Sequence, residues 1–289
     1  MSFENVDYLI NYIKNSNNPY LKEFKIDDIV LNKPKYVEPS NLRISTMTYT
    51  ANINVLLDLQ NLYDNINIDN IEYPKIISCE YGNNIPKGTD IKKKKKFFAN
   101  QLTLKIQFDD FYKVNMKIFN NGKIGITGCK DNDITKKILN FIINIIKNIN
   151  NNNKIILNNN ELMLKDLDVV LINSDFKCGF EIKRDVLYNI LKKMNLYVTY
   201  EPDIYPGVNL KFYYNKIYSN NGICYCDKKC NGKNIGDGLN KCKKITIAIF
   251  QSGSVIITGA RNNTQKNISY RFINNIIKSN YNSILKYSI

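Results

Sequence analysis

The stretch K-I-F-N-N-G-K-I-G-I-T-G-C-K at 117–130 returns as A-I-F-Q-S-G-S-V-I-I-T-G-A-R at 248–261. Six of the fourteen positions are identical: Ile118/Ile249, Phe119/Phe250, Gly122/Gly253, Ile126/Ile257, Thr127/Thr258 and Gly128/Gly259. Each copy reads as a strand, a tight turn at Asn-Gly or Ser-Gly, and a second strand closed by Thr-Gly. A helix of period 3.6 follows each copy. Ile134, Ile138, Phe141, Ile142, Ile145 and Ile149 make the first apolar stripe; Ile268, Phe272, Ile273, Ile276 and Ile277 make the second. The copies stand 131 positions apart, too far for a solenoid unit, and suit a duplicated half-domain.

The flanking sequence repeats the same order. Residues 42–53 alternate and are rich in β-branched types, which predicts a strand, and Val55–Ile66 has helical spacing. A short extended piece lies around Tyr73-Pro74, then comes a long loop carrying Lys92–Lys96, then a strand at Phe98–Phe108. In the second half Leu167–Gly179 predicts a strand and Arg184–Met194 a helix, with a strand at Asn209–Tyr214. The asparagine-rich run at Asn150–Asn153 and Asn158–Asn160 reads as a linker. The division is therefore a polar extension at 1–38 (with a short helix at Val6–Ile13), a first repeat at 39–157, and a second at 158–289 carrying a Cys/Gly-rich insertion at 219–242. The fold class is α+β, helices on one face of an antiparallel sheet.

With 41 Lys+Arg against 26 Asp+Glu the net charge is +15, which favours a polyanionic partner, nucleic acid first and an acidic membrane surface second, with a solvated basic surface as the alternative. No apolar run is long enough to span a bilayer, and Met1–Asn15 has no signal-peptide pattern. The expected compartment is intracellular. Seven cysteines without a secretory signal point to reduced thiols or a metal. Cys224, Cys226, Cys230 and Cys242 share one glycine-rich loop and are candidate ligands of a structural Zn²⁺, with free thiols as the alternative. Cys79, Cys129 and Cys178 read as single packed thiols. The chain has no histidine, so Ser/His/Asp and Cys/His catalytic sets are impossible, and no P-loop appears. An enzyme is not expected. Lys92–Lys96 suits a phosphate contact, an import signal or a solvated loop.

Alternation also sorts the repeated hairpins. If Ile118, Ile124 and Ile126 face the helices, Asn115, Lys117, Phe119, Gly125 and Thr127 face away. In the second copy Ile247, Ile249, Val255 and Ile257 face the core, and Thr246, Ala248, Phe250, Ile256 and Thr258 lie opposite. A sheet face with exposed Phe, Ile and Thr needs a cover.

The segment T-Y-E-P-D-I-Y-P-G at 199–207, a strand, and then the 248–261 hairpin resemble the second repeat of the TATA-box-binding protein family; the 117–128 hairpin and its helix resemble the first. The resemblance covers roughly 40–280. The stretches 76–96 and 219–242 depart from the compact cellular form and look more like the divergent versions carried by large DNA viruses. It implies a saddle, a curved ten-stranded sheet of pseudo-twofold symmetry that opens a minor groove on its concave face and bends A·T-rich DNA. By resemblance Phe119 and Phe250 each belong to a kinking aromatic pair. Tyr205 is the partner of Phe250, and Phe98 (or Phe97) the partner of Phe119. Thr127 and Thr258 match the groove-floor threonines, with Asn173 the nearest counterpart of the family's paired asparagines and Thr46 and Thr48 the first-half alternatives. Lys117 and Gly125 stand where the family has bulky apolar residues, which predicts an asymmetric face. The implied partners are double-stranded A·T-rich DNA, a transcription factor IIB-like factor and RNA polymerase, met by a monomer on DNA, in a host nucleus, cytoplasmic virus factory or virion. The alternative is an interaction or virion protein on the same fold without sequence-specific DNA binding.

Overall fold

The computed structural model describes residues 15, 35–68, 72–89, 100–218, 220–228 and 230–286. The first half of the chain supplies β1 (Arg43–Asn52), α1 (Leu59–Asn65), β2 (Lys75–Tyr81), β3 (Lys87–Gly88), β4 (Gln101–Gln107), β5 (Lys113–Phe119), β6 (Lys123–Cys129) and α2 (Asn132–Asn153). The second supplies β7 (Asp166–Lys177), α3 (Arg184–Lys193), β8 (Tyr197–Glu201), β9 (Tyr205–Tyr214), β10 (Lys243–Ile249), β11 (Ser254–Ala260), α4 (Asn263–Ser279) and the short α5 (Tyr281–Ile284). All the strands form one antiparallel sheet in the order β3-β2-β4-β5-β6-β1-β7-β11-β10-β9-β8. The two first strands, β1 and β7, pair along their length at the middle, and each carries its own hairpin outward.

Local chemistry fixes the repeat. Gly122 (φ 77°) and Gly253 (φ 75°) take the left-handed turn that a side chain resists. A Cβ on Gly253 would also lie 2.1 Å from the Phe180 carbonyl oxygen, and one on Gly122 2.5 Å from that of Val55. The same glycine thus lets the chain leaving each central strand cross the hairpin turn. Asp131 and Asn262 cap α2 and α4, accepting from the backbone N–H of Ile134 and Gln265, a bond of about 1 kcal/mol at a helix start. Ile118, Ile126, Ile247 and Ile257 are fully buried beneath the helices with Ile138, Leu139 and Ile273.

Several expectations change. Among the described residues the sheet has eleven strands rather than ten, because β2 (Lys75–Tyr81) folds back as the two-residue β3 (Lys87–Gly88). Continuous burial of Ile76, Ile77, Ser78 and Cys79 hides the alternation that would have marked β2. The first helix starts at Leu59, not Val55, since the Asp58 side chain caps it by accepting from Asn61 N–H. Asn150–Asn153 is the last turn of α2 rather than linker, ended by Lys154 in the left-handed region (φ 40°). β4 begins at Gln101; Lys92–Lys96, Phe97 and Phe98 lie outside the described residues, as does Val6–Ile13. The end of the polar extension docks on the second half: the Tyr36 ring meets Tyr281 edge-on at 5.2 Å, and Glu38 pairs with Lys278 at 2.7 Å.

Candidate nucleic-acid interface

Among the described residues, the helices cover one face of the sheet and leave the other open. On that open face the second half presents an aromatic pair. Phe250 closes β10 and Tyr205 opens β9, with ring centroids 5.8 Å apart at 61° and Tyr205 40% exposed. Gly207 seats them: a Cβ there would lie 2.9 Å from Tyr205 Cε1 and 3.1 Å from Phe250 Cε1. Arg184, at the start of α3, holds this corner from the side. Its Nη1 donates to the Pro206 carbonyl, its Nη2 to Gln251 Oε1 at 3.3 Å, and its guanidinium lies over the Tyr200 ring at 5.4 Å.

Beside the pair, Ile256 stands 38% exposed, an unusual exposure for isoleucine in a strand. Thr258 lies opposite Asn173, and its hydroxyl donates to Asn173 Oδ1. Asn173 in turn faces Thr46 across the β1/β7 seam, and Thr48 faces Leu171. Ala248 lies on this face too but is only 4% exposed, because its methyl sits between Asn209 and Ile256 on the neighbouring strands.

The charge here is basic. Lys211 donates to Asn209 Oδ1 at 2.9 Å and Thr246 Oγ1 at 3.0 Å. Desolvation and then the nearby Lys244 ammonium lower its pKa below the ordinary lysine value. An arriving anion relieves that repulsion.

The first half differs. Phe119 is half-buried at the end of β5 and faces Gln101 across the ladder, so the glycine seat of the second half is missing. Phe98, the partner that the resemblance assigns to Phe119, lies outside the described residues. Lys117 and Thr127 are exposed on the open face. Gly125 takes the place of Ile256, and a Cβ on it would meet nothing within 4 Å. The result is an open hollow of about 320 Å³, lined by Phe119, Lys123, Gly125, Thr50, Asp166 and Asp168. Asp175, further along β7, is paired with Arg43 at 2.8 Å.

Sequence reasoning missed Gly207, Arg184, Leu171, Lys211 and the two aspartates of the hollow. Lys211 was within reach of the alternation that sorted the hairpins. Arg184 and the aspartates needed the tertiary pairing, because a helix start and the far end of β7 bring them to the face.

The four loop cysteines come together between β9 and β10. Their sulfurs all lie within 4.8 Å of one another, so they could hold a metal ion. Cys79, Cys129 and Cys178 are buried apart from them; burial pushes the Cys178 thiol up to about 12, leaving it protonated and inert.

The profile described as "Transcription factor TFIID (or TATA-binding protein, TBP)" matches residues 166–280. The TBP of Methanococcus jannaschii superposes with a TM-score of 0.48 at 19% identity, covering 83% of this chain and 99% of that one. A protein of Acanthamoeba polyphaga mimivirus, "TATA-box-binding protein-like", is 30% identical over an alignment of 272 residues that covers 86% of this chain and 68% of that protein. With two pseudo-symmetric halves in one antiparallel sheet, the described helices on a single face, and that degree of identity over that length, the chain belongs to the TATA-box-binding protein family.

Proposed function

We propose that the chain is a transcription initiation factor that binds A·T-rich promoter DNA through the minor groove, bends it, and recruits the transcription machinery. The observation that carries this reading is the Tyr205–Phe250 pair seated on Gly207 beside the exposed Ile256, the wedge chemistry that unstacks a base step. Thr258 and Asn173 support the base preference. The Thr258 hydroxyl donates to Asn173 Oδ1, so the donors this pair offers a ligand are the Asn173 amide protons. The minor groove of A·T pairs offers only acceptors, whereas G·C pairs add a donor. Lys211 and Lys244 supply phosphate neutralisation. Binding is asymmetric, led by the second half. Phe98, Phe119, Thr127 and Lys117 complete the first-half contact, and a transcription factor IIB-like factor and RNA polymerase are the protein partners. The site of action is intracellular, a host nucleus or a virus factory.

A second reading is an interaction protein on the same fold without sequence-specific DNA binding. Asp166 and Asp168 favour it, because two carboxylates in the first-half hollow repel phosphate. Selection of bound sequences from a random duplex pool at about 0.15 M salt separates the two. Enrichment of an A·T-rich motif supports the promoter factor; no enrichment sinks it.

A further inference from the structure

We propose that Cys224, Cys226, Cys230 and Cys242 form a thiolate cage for one Zn²⁺, and that this ion is the fastener that holds the β9–β10 insertion onto the end of the sheet and onto α4. The proposal is independent of what the open face binds.

The geometry fits a tetrahedral ion. Cys226 Sγ lies 3.4 Å and Cys224 Sγ 3.8 Å from Cys242 Sγ, and all four sulfurs fall within 4.8 Å. A zinc at about 2.3 Å from each sulfur separates neighbouring sulfurs by about 3.8 Å, so the cage needs only a small adjustment. A disulfide would bring two sulfurs to about 2.0 Å, and all four cysteines are free. Two sulfurs also receive the outer hydrogen bonds that ligating thiolates attract. Gly232 N–H donates to Cys230 Sγ at 3.4 Å, and Asn215 Nδ2 donates to Cys242 Sγ at 3.8 Å.

The path of the loop gives the ion its task. Cys224 and Cys226 lie on the leg leaving β9, Cys230 lies near the tip, and Cys242 immediately precedes β10. The insertion has little apolar core of its own, since Ile217, Tyr225, Ile235 and Leu239 are all exposed. It nevertheless lies close against the fold. A Cβ on Gly232 would be 2.3 Å from the Lys244 Cβ, and one on Gly236 2.5 Å from Tyr214 Cδ1. Gln265, in the first turn of α4, donates to the Ile235 carbonyl at 2.6 Å. A long loop with few buried apolar groups needs another source of order, and a metal clip that joins its legs is one. Four soft sulfur donors select zinc over magnesium or calcium. Binding one Zn²⁺ to four thiols releases four protons and leaves the cage with two net negative charges. Lys228, Lys233, Lys241, Lys243 and Lys244 stand in the same stretch to offset them.

The test uses the full chain purified without chelator. Elemental analysis is expected to give one equivalent of zinc. Cobalt titrated into chelator-stripped protein is expected to give the intense visible spectrum of tetrahedral Co²⁺–thiolate. Cys226→Ser and Cys242→Ser, each tested separately, should remove that spectrum. Hydrogen exchange across 215–242 should rise on chelation, while the hairpins stay protected. If the serine variants fold poorly, the wild-type cobalt titration and a count of thiols before and after chelation still decide, with four more thiols expected to react after chelation. Metal-free protein whose loop thiols react at once would overturn the proposal. So would a disulfide found by mass, an iron chromophore in place of zinc, or zinc whose removal leaves the exchange of the loop unchanged.

Discussion

Replacing Phe250 with alanine should cost much more DNA affinity than replacing Phe119. In the free protein the Phe250 ring is half-buried and rests against Tyr205 at 5.8 Å. An aromatic side chain buries up to about 200 Å², so inserting the exposed half between bases covers roughly 100 Å². At about 25 cal/mol/Å² that is about 2.5 kcal/mol, roughly a sixtyfold weaker complex for Phe250→Ala. The variant also loses the ring pair, about 1 kcal/mol, which reaches folding stability as well as binding. Phe119 has no described ring partner and no glycine seat, and its neighbours include Asp166 and Asp168 across the hollow. Its removal should cost less than about fivefold, under about 1 kcal/mol. Energy transfer between dyes at the two ends of a short A·T-rich duplex reads both quantities at once. Phe250→Ala should reduce the bend as well as the affinity. Equal losses for the two variants would refute the asymmetry, and binding with no change in end-to-end distance would refute the wedge itself.

Gly207→Ala should weaken bending with little loss of thermal stability, since the added methyl pushes on two ring edges rather than on backbone; unchanged bending would show that the seat does not matter. Asp168→Asn should strengthen binding several-fold at low salt, with the gain fading as salt rises; no gain would mean that no phosphate passes the hollow. Lys211 starts with a lowered pKa, so its charged form is disfavoured before DNA arrives, and DNA favours protonation. Affinity should therefore fall as pH rises through that lowered pKa, below the range of an ordinary lysine, and Lys211→Gln should remove this early part of the alkaline loss. A profile identical in both proteins would exclude Lys211. Lys244→Gln should flatten the slope of log K against log salt by about 0.9 if Lys244 meets a phosphate, and leave it unchanged if it does not.

The duplicated hairpin was legible because its information is local. Identical glycines at a tight turn, alternation at period two and a helical stripe behind it each follow from the geometry of a few neighbouring residues. The same alternation named Phe250, Ile256 and Thr258 as partners on one face. Sequence also put four cysteines in one loop, but not their sulfurs within 4.8 Å, which depends on the loop folding back against Lys244 and Tyr214. Only a short extended piece around Tyr73-Pro74 points to β2, because burial on both faces erases alternation, and Asn150–Asn153 reads as linker because asparagine composition says nothing of a helix anchored by Ile146 and Ile149. Only the tertiary structure decided that the halves are chemically unequal. Asp168 reaches the first-half hollow through strand pairing between β1 and β7, 118 positions apart at Thr50 and Asp168. Gly207 acts as a seat only because Tyr205 and Phe250 arrive from different strands. Contacts of that separation are set by the register of the sheet, and register is a property of the whole packed core.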